Sequence, residues 1–314
     1  MTDPSPAAVA PPDKVAAVRA GLLDWFAANR RDLPWRRTRD PYAVLVSEVM
    51  LQQTQVDRVI PYFLAWLDAF PTIEDLAAAP TADVIRMWSG LGYNRRAVNL
   101  QRTAQAVVAD HAGVFPDSVA TLLALPGIGP YTAGAIAAFA FEQDAAFIDT
   151  NMRRVLHRLF HGVEVPAALA TDRELVGLAA AVVSPGQGWA WNQALIEFGA
   201  LQCTARRPAC VICPLQRECA AYPAIQTAIR ELPVGSRAKR EGTWEGSNRQ
   251  ARGRIVDTLR RHPAALPIDD LGARVRPAYT PDDRPWLYDL VCALERDGLA
   301  RVAEEGDTYL VELP

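Results

Sequence analysis

Lysine is nearly missing from this 314-residue chain: of its 33 basic residues, all but Lys14 and Lys239 are arginine. Any phosphate recognition therefore falls to guanidinium groups, whose fork geometry suits phosphate oxygens. Long hydrophobic runs are missing too. No stretch reaches the ~18–20 apolar residues of a membrane helix, and no membrane association is expected. The opening MTDPSPAAVAPPDK lacks the basic segment and the apolar core of a secretion signal. It reads as a disordered lead-in over residues 1–12, and the cytosol is the expected compartment. A charge excess is also lacking, the net charge being −3, so there is no global argument for nucleic acid. The distribution says more. Arginines cluster at Arg30-Arg31, Arg36-Arg37-Arg39, Arg95-Arg96, Arg153-Arg154 and Arg206-Arg207, as phosphate-facing groups or as solvated helix faces.

What is present is a helical pattern. Half the residues are hydrophobic, enough for a large core, and the length suits about two or three domains. Apolar spacing is helical almost throughout the first two-thirds of the chain. Asp13 can cap a helix carrying Val15, Val18, Leu22, Trp25 and Phe26. RDLPWRRTRDPY is a loop, residues 42–53 are one apolar helix, and Thr54 can cap the next, which runs to Phe70. Thr72 with Asp75 resembles a capping box, and Thr81 opens another helix. Beyond Gly113 come the turn of LPGIGPYTAG, a small-residue helix to Phe141, a short extended AAFIDT, and helices over 151–160, 171–183 and 191–201. Residues 223–247, polar with Pro, Gly and basic side chains, read as a linker. In residues 248–314, helices at 249–261, 269–275 and 285–297 precede two short strands around Gly306, a winged-helix-like α+β module. Its 10 Arg against 12 Asp and Glu do not favour DNA over a packing or protein-contact role.

Cysteine is scarce, but four of the five are crowded into CTARRPACVICPLQREC as Cys203-x6-Cys210-x2-Cys213-x5-Cys219. Disulfides are not expected in the cytosol. Four thiolates in so short a loop suit a metal centre, zinc or iron–sulfur, which thiolate chemistry alone does not separate. Cys292 reads as a small core hydrophobe. Two carboxylates stand out. Glu48, in YAVLVSEVMLQQTQV, has Val44, Leu45, Val46, Val49, Met50 and Leu51 around it; periodicity alone leaves open whether it faces solvent from the polar side of the helix or is buried, and burial raises a carboxyl pKa toward that of a general acid near neutrality. Asp149, in AAFIDTN, stands at a helix start, where capping is the plain reading. The Gly127-Ile128-Gly129 turn can point backbone N–H groups outward as a nest that holds a phosphate without reading sequence.

Taken as a set, LPWR, SEVMLQQTQV, GLGYNRRAVNL, LPGIGPYTAG, Asp149-Thr150-Asn151, NQALIEFGA and the cysteine spacing span about residues 20–222. They resemble the helix-hairpin-helix DNA glycosylases, in the branch of endonuclease III and the A/G-specific (MutY-type) adenine glycosylases. The resemblance implies a mainly α, two-lobed helical core over 13–222, with a six-helix lobe at about 36–145 and an iron–sulfur lobe from 13–35 and 146–222. It implies a 4Fe–4S cluster on Cys203, Cys210, Cys213 and Cys219. It implies a monomeric, nucleoid-associated enzyme of base-excision repair that binds double-stranded DNA containing an adenine mispair, extrudes the base and excises adenine opposite 8-oxoguanine or guanine. By the same match Glu48 protonates adenine N7 and positions the water, and Asp149 stabilises positive charge at the sugar C1′, with Tyr131 and Asn151 in support. The carboxylates resemble the acid-and-stabiliser pair of glycosidases. Trp35 and Arg36 line the base pocket, Gln193 contacts the extruded adenine, and Gln53 and Tyr93 wedge the duplex near the opposite base. Gly127 and Gly129 grip the DNA backbone, and Arg206 and Arg207 face phosphate. Lysine-dependent members carry a lysine just after the hairpin. Here that place is Tyr131, and a phenol cannot form a Schiff base, so a monofunctional glycosylase is expected.

The chain departs from the family pattern at Pro130, where a basic residue is frequent, at Thr150, where glycine is commoner, and at Asn94, where a second tyrosine is usual. The 67 residues after the linker are too few for the Nudix-like domain with which many adenine glycosylases recognise 8-oxoguanine. Alternative readings are a mismatch thymine or uracil glycosylase on the same scaffold, which has no need of an N7 acid, a catalytically weak lesion-binding protein, and an iron–sulfur electron carrier.

Overall fold

The computed structural model describes residues 11–165, 167–231, 245–306 and 308–314. The fold is mainly α. In chain order the helices are α1 (Pro12–Asn29), α2 (Pro41–Leu51), α3 (Val56–Ala69), α4 (Ile73–Ala78), α5 (Thr81–Met87), α6 (Arg95–His111), α7 (Val119–Ala124), α8 (Pro130–Phe139), α9 (Thr150–Phe160), α10 (Asp172–Val182), α11 (Gly188–Leu201), α12 (Ala224–Arg230), α13 (Asn248–Arg261), α14 (Ile268–Val275) and α15 (Arg284–Arg296). The strands are β1 (Leu266–Pro267), β2 (Arg301–Glu305) and β3 (Thr308–Glu312). Among the described residues no helix is long and apolar enough to cross a membrane.

Local chemistry sets most helix ends. Thr72 and Asp75 form the predicted reciprocal box that starts α4, and Thr171 with Glu174 does the same for α10. Other ends shift. Pro11 occupies the cap position of α1 and Asp13 lies in its first turn, where a carboxylate complements the helix dipole. Gln55, not Thr54, precedes α3. AAFIDT forms no strand and leads into α9 with Asp149 as the cap. The predicted linker contains α12, anchored by buried Ile225. The rest of that linker over 232–244, and the lead-in over 1–10, lie outside the described residues.

The chain divides into two compact units. One comprises Met1–Leu45, Pro116–Ala124 and Ile128–Gly235. In it α11 packs on α1, α8 and α9, and α7 packs on α8. Leu22, Leu156, Leu195 and Phe198 are fully or almost fully buried, and Trp25 meets Phe198 edge-on at 4.9 Å.

The other unit comprises Val46–Phe115, Leu125–Gly127 and Ser236–Pro314. Here α4 and α5 pack on α6, and Trp66 meets Trp88 edge-on at 5.5 Å. The C-terminal residues form an α+β module, α13–α15 against an antiparallel sheet in the order β1-β3-β2, with Val302 opposite Val311 and Leu266 opposite Val311 on the other edge. Strand β1 lies outside the two predicted strands; two residues ending in proline give no alternating pattern to read. The module is not packed only on itself. Ile85 of α5 and Val98 of α6 share one buried cluster with Ile255, Leu259, Leu271, Leu287, Val291 and Val311. The Ala82 N–H donates to the carbonyl of Pro314 at 3.0 Å.

Candidate active site

Asp149 is where the local sequence and the chemistry meet. Its Oδ1 accepts from the Met152 N–H at 2.6 Å, the N-cap bond that starts α9, and its Oδ2 accepts from the Asn151 amide at 3.1 Å. The capping reading is thus what the structure shows, and it leaves the carboxylate half-buried. Burial pushes its pKa above the ordinary carboxylate value, against the pull of the Met152 N–H and the Asn151 amide. No ion pair to Asp149 occurs among the described residues. Asn151 is itself oriented: Arg154 donates to its Oδ1 at 2.8 Å and to the carbonyls of Gly199 at 2.6 Å and Cys203 at 2.8 Å. That fixes the amide with its N–H₂ toward Asp149. Gly199 lets α11 come this close, since a Cβ there would lie 2.7 Å from the Asn151 Cβ and 3.1 Å from its carbonyl oxygen. Tyr131, in the first turn of α8, is half-buried and meets Phe147 edge-on at 5.4 Å. Gly129, with φ −97°, is not in the left-handed region; it caps α8, and a Cβ at this position would meet nothing within 4 Å, so its backbone is open to approach.

In the same unit the structure brings Arg36 and Gln193 together, but not as open pocket walls. Arg36 Nε donates to Gln193 Oε1 at 2.8 Å, and its other nitrogens reach Glu197 at 3.0 and 3.2 Å and the Arg31 carbonyl at 3.0 Å. Arg31 donates to the same carboxylate through its backbone N–H, Nε and Nη2 at 2.7–2.9 Å. Burial pushes Glu197 upward, but the hydrogen bonds from Arg31 and Arg36 outweigh it and hold its pKa at about 2. Trp35 lies in the short 3-10 turn Pro34–Arg36 and is also buried.

In the other unit Glu48 is 5 % exposed, on a helix buried all round from Tyr42 to Met50. The solvent-facing alternative for this residue is thereby removed. Gln53 and Tyr93 are exposed and share a rare feature, positive φ at 58° and 47°. Arg96 holds both turns: its guanidinium donates to the carbonyls of Val49 at 2.8 Å, Met50 at 3.2 Å, Leu91 at 3.2 Å and Gly92 at 3.1 Å. Burial lowers its pKa to about 10, so it stays charged at neutrality. Gly127 has φ +83°, and a Cβ there would lie 2.9 Å from that of Asn99. Thr103 donates to the Pro126 carbonyl at 2.6 Å and pins the turn to α6.

The cysteine expectation is corrected. Cys203, Cys210, Cys213 and Cys219 do line one small cavity, but all four are free. Among the described residues no group of three or more His, Cys, Asp or Glu side chains is placed to hold a metal ion. The expected 4Fe–4S cluster, and with it the iron–sulfur lobe, is therefore not supported. Physically, burial pushes the thiols of Cys203, Cys210 and Cys213 up, the last to about 11, which favours protonated sulfur. The Cys219 thiol bonds instead to the Arg158 carbonyl at 3.3 Å. Arg206 and Arg207 stand exposed on the loop between the first two cysteines.

Sequence reasoning missed Glu197, Arg154 and Arg96 as organisers. Glu197 stands in NQALIEFGA, and both arginines belong to the clustered pairs. Each pair divides its labour: Arg95 is exposed while Arg96 clamps carbonyls, and Arg153 pairs with Asp172 while Arg154 orients Asn151.

The family described as "HhH-GPD superfamily base excision DNA repair protein" matches residues 46–180. The chain is 43% identical over 240 residues to the adenine DNA glycosylase of Mycolicibacterium smegmatis, covering 76% of this chain and 79% of that one. It is 43% identical over 222 residues to the adenine DNA glycosylase of Homo sapiens, covering 68% of this chain but only 41% of the human one. Among solved structures, a thermostable thymine-DNA glycosylase superposes with a TM-score of 0.62 at 31% identity, over 67% of this chain and 97% of that one. Identity at this level, sustained over more than three-quarters of both this chain and the Mycolicibacterium one, places the chain in the adenine DNA glycosylase family of the HhH-GPD superfamily.

Proposed function

We propose that the chain is a monofunctional glycosylase that hydrolyses the N-glycosidic bond of adenine mispaired with 8-oxoguanine or guanine in duplex DNA. Adenine DNA glycosylase activity follows from the family; the rest rests on the residues. The observation that carries it is Asp149, a half-buried carboxylate held by an N-cap bond and an oriented amide, with Arg154 near it but forming no ion pair to it among the described residues. Such a group stabilises positive charge developing at C1′ as the bond to N9 breaks. Glu48 supplies the proton to adenine N7, so the electron pair of the breaking bond leaves with a neutral base. Burial is the setting in which a carboxylic acid can hold a proton near neutrality. The carboxylate then takes a proton from the water whose oxygen bonds to C1′, which restores the acid. Tyr131 where a lysine would be needed leaves no amine for a Schiff base. Gln53, Tyr93 and the turn at Gly127 engage the duplex, Trp35, Arg36 and Gln193 serve the extruded base, and Arg206 and Arg207 reach phosphate.

The test is excision from end-labelled duplexes carrying A opposite 8-oxoguanine, A opposite guanine, or T opposite guanine, each resolved with and without hot alkali. Scission at adenine, only after alkali, is expected. Scission without alkali would overturn the monofunctional reading, and a product from the thymine strand would move the chain to the mismatch-thymine alternative.

A further inference from the structure

Tyr93 is 53% exposed, yet both faces of its loop are held by arginine. On one side Arg96 bonds the carbonyls of Leu91 and Gly92 and lies 5.6 Å from the Tyr93 ring centroid. On the other is α13, from the C-terminal module. Arg249 donates to the Tyr93 hydroxyl at 2.8 Å, its guanidinium 5.1 Å from the ring centroid. Eleven residues on, Arg260 donates to the Asn94 side-chain oxygen and to the Ile85 carbonyl, each at 2.9 Å. That spacing is close to three turns, so both arginines fall on one face of α13 and grip the loop at two points. Between helix and loop lies a cleft of about 630 Å³, lined by Tyr93, Asn94, Arg95, Arg249 and Arg252 among others. The module as a whole has no basic surplus, but the face it turns to the Tyr93 loop is arginine-rich.

We infer that Arg249 is a positioning residue for Tyr93, and that α13 thereby sets how tightly the Tyr93 loop engages duplex DNA. The inference rests on the adenine-glycosylase reading and on Tyr93 as the residue that enters the duplex. An aromatic ring ordered before it meets DNA loses less freedom on binding. The backbone at Tyr93 already occupies a conformation that bulky residues rarely adopt, so the side chain is set by what touches it. Arg249 acts through the ring and its hydroxyl, not on the reacting atoms.

The experiment is a double-mutant cycle on the full chain with Arg249→Ala, Tyr93→Phe and the pair, read as affinity for a duplex with A opposite 8-oxoguanine at several salt concentrations. Tyr93→Phe keeps the ring and removes the acceptor. Tyr93→Phe is expected to lose about 3- to 10-fold, the scale of one hydrogen bond between partly exposed groups; Arg249→Ala, which also removes the ring contact, at least as much, and the pair no more than Arg249→Ala alone. The salt slope is expected to stay as in the wild type, because no phosphate contact is removed. Additive losses with a slope reduced by about one would overturn the inference and make Arg249 a phosphate contact, and an Arg249→Ala variant that binds like the wild type would overturn it outright. Adenine excision by the wild type on the same duplex checks the underlying reading separately, since the affinity cycle needs no turnover.

Discussion

Two carboxylates of one compact unit, one fully buried and one half-buried, are held in opposite ways. Glu197 is fully buried and receives five N–H bonds from Arg31 and Arg36, which pull its pKa down to about 2 in spite of burial. Asp149 receives one backbone N–H and one neutral amide, and burial moves it up. The first is a closed knot: its charge is spent on two guanidiniums and it fixes Arg36 against Gln193. The second forms no ion pair among the described residues; Arg154 acts on it from a distance and is itself bonded to Asn151. A carboxylate of the first kind is suited to hold a fold together, and one of the second kind to meet a cation that appears only during a reaction.

The contrast is sharpest under substitution at Asp149. Asparagine caps helices about as well as aspartate, so Asp149→Asn keeps the start of α9 and removes only the charge. Excision measured under single-turnover conditions is expected to fall by at least about 10³-fold, the upper range for loss of one electrostatic stabiliser, with DNA affinity kept. A variant with more than a tenth of wild-type activity would refute the assignment. Next in size is Glu48→Gln, which keeps the shape of a helix buried on all sides and removes the proton donor. A loss of about 10²–10⁴-fold, the usual share of general acid catalysis, is expected on duplexes with adenine. If a variant lacking the acid regains rate on a duplex carrying a base that leaves without protonation at N7, the proton transfer is placed; an equal loss on both substrates would assign Glu48 a packing role instead.

Much of this is legible locally and little of it at long range. Capping boxes, the helix–turn–helix around Gly127 and the position of Asp149 are written in residues three to ten apart, where helical period and cap chemistry act; periodicity leaves Glu48 open between solvent and core, and the fold buries it. The Arg31–Arg36–Glu197 knot joins residues more than 160 apart, and Arg96 joins the turns at Gln53 and Tyr93 through backbone carbonyls, which carry no residue identity to read. The arginine pairs illustrate the limit. Sequence leaves both members as phosphate-facing groups or solvated helix faces, while packing decides which one turns inward to satisfy carbonyls. The cysteine loop fails differently. Its spacing suggests a metal centre, but spacing along a chain says nothing of sulfur geometry or protonation: the four thiols line one cavity, yet among the described residues no group is placed to hold a metal ion. The C-terminal module reads as a separate body because its composition changes after residue 247, whereas its apolar faces share a core with α5 and α6.

The smallest expected effect is on stability, and it separates the two carboxylates by the sign of their pH dependence. Glu197 has a folded-state pKa of about 2 against an ordinary 4.5. Its contribution is therefore fully present above about 4.5 and is lost as pH falls toward 2. Asp149 is shifted the other way: folding disfavours its charged form, so its contribution is present below its ordinary value of 3.8 and is lost as pH rises through its folded-state value. Glu197→Gln leaves Arg36 buried without its counter-charge, while Arg31, a third exposed, can turn to water. A loss of about 3 kcal/mol at neutral pH is expected, the lower end for breaking a buried ion pair by removing one partner. Urea unfolding followed from neutral pH down to about 3 should show the wild-type stability falling toward that of Glu197→Gln as the carboxylate protonates. Asp149→Asn should instead gain slightly on the wild type at neutral pH, because it no longer buries a charge. Parallel acid limbs in the wild type and Glu197→Gln would mean that the knot does not hold its charge against protonation, and the contrast between the two carboxylates would then be one of position alone.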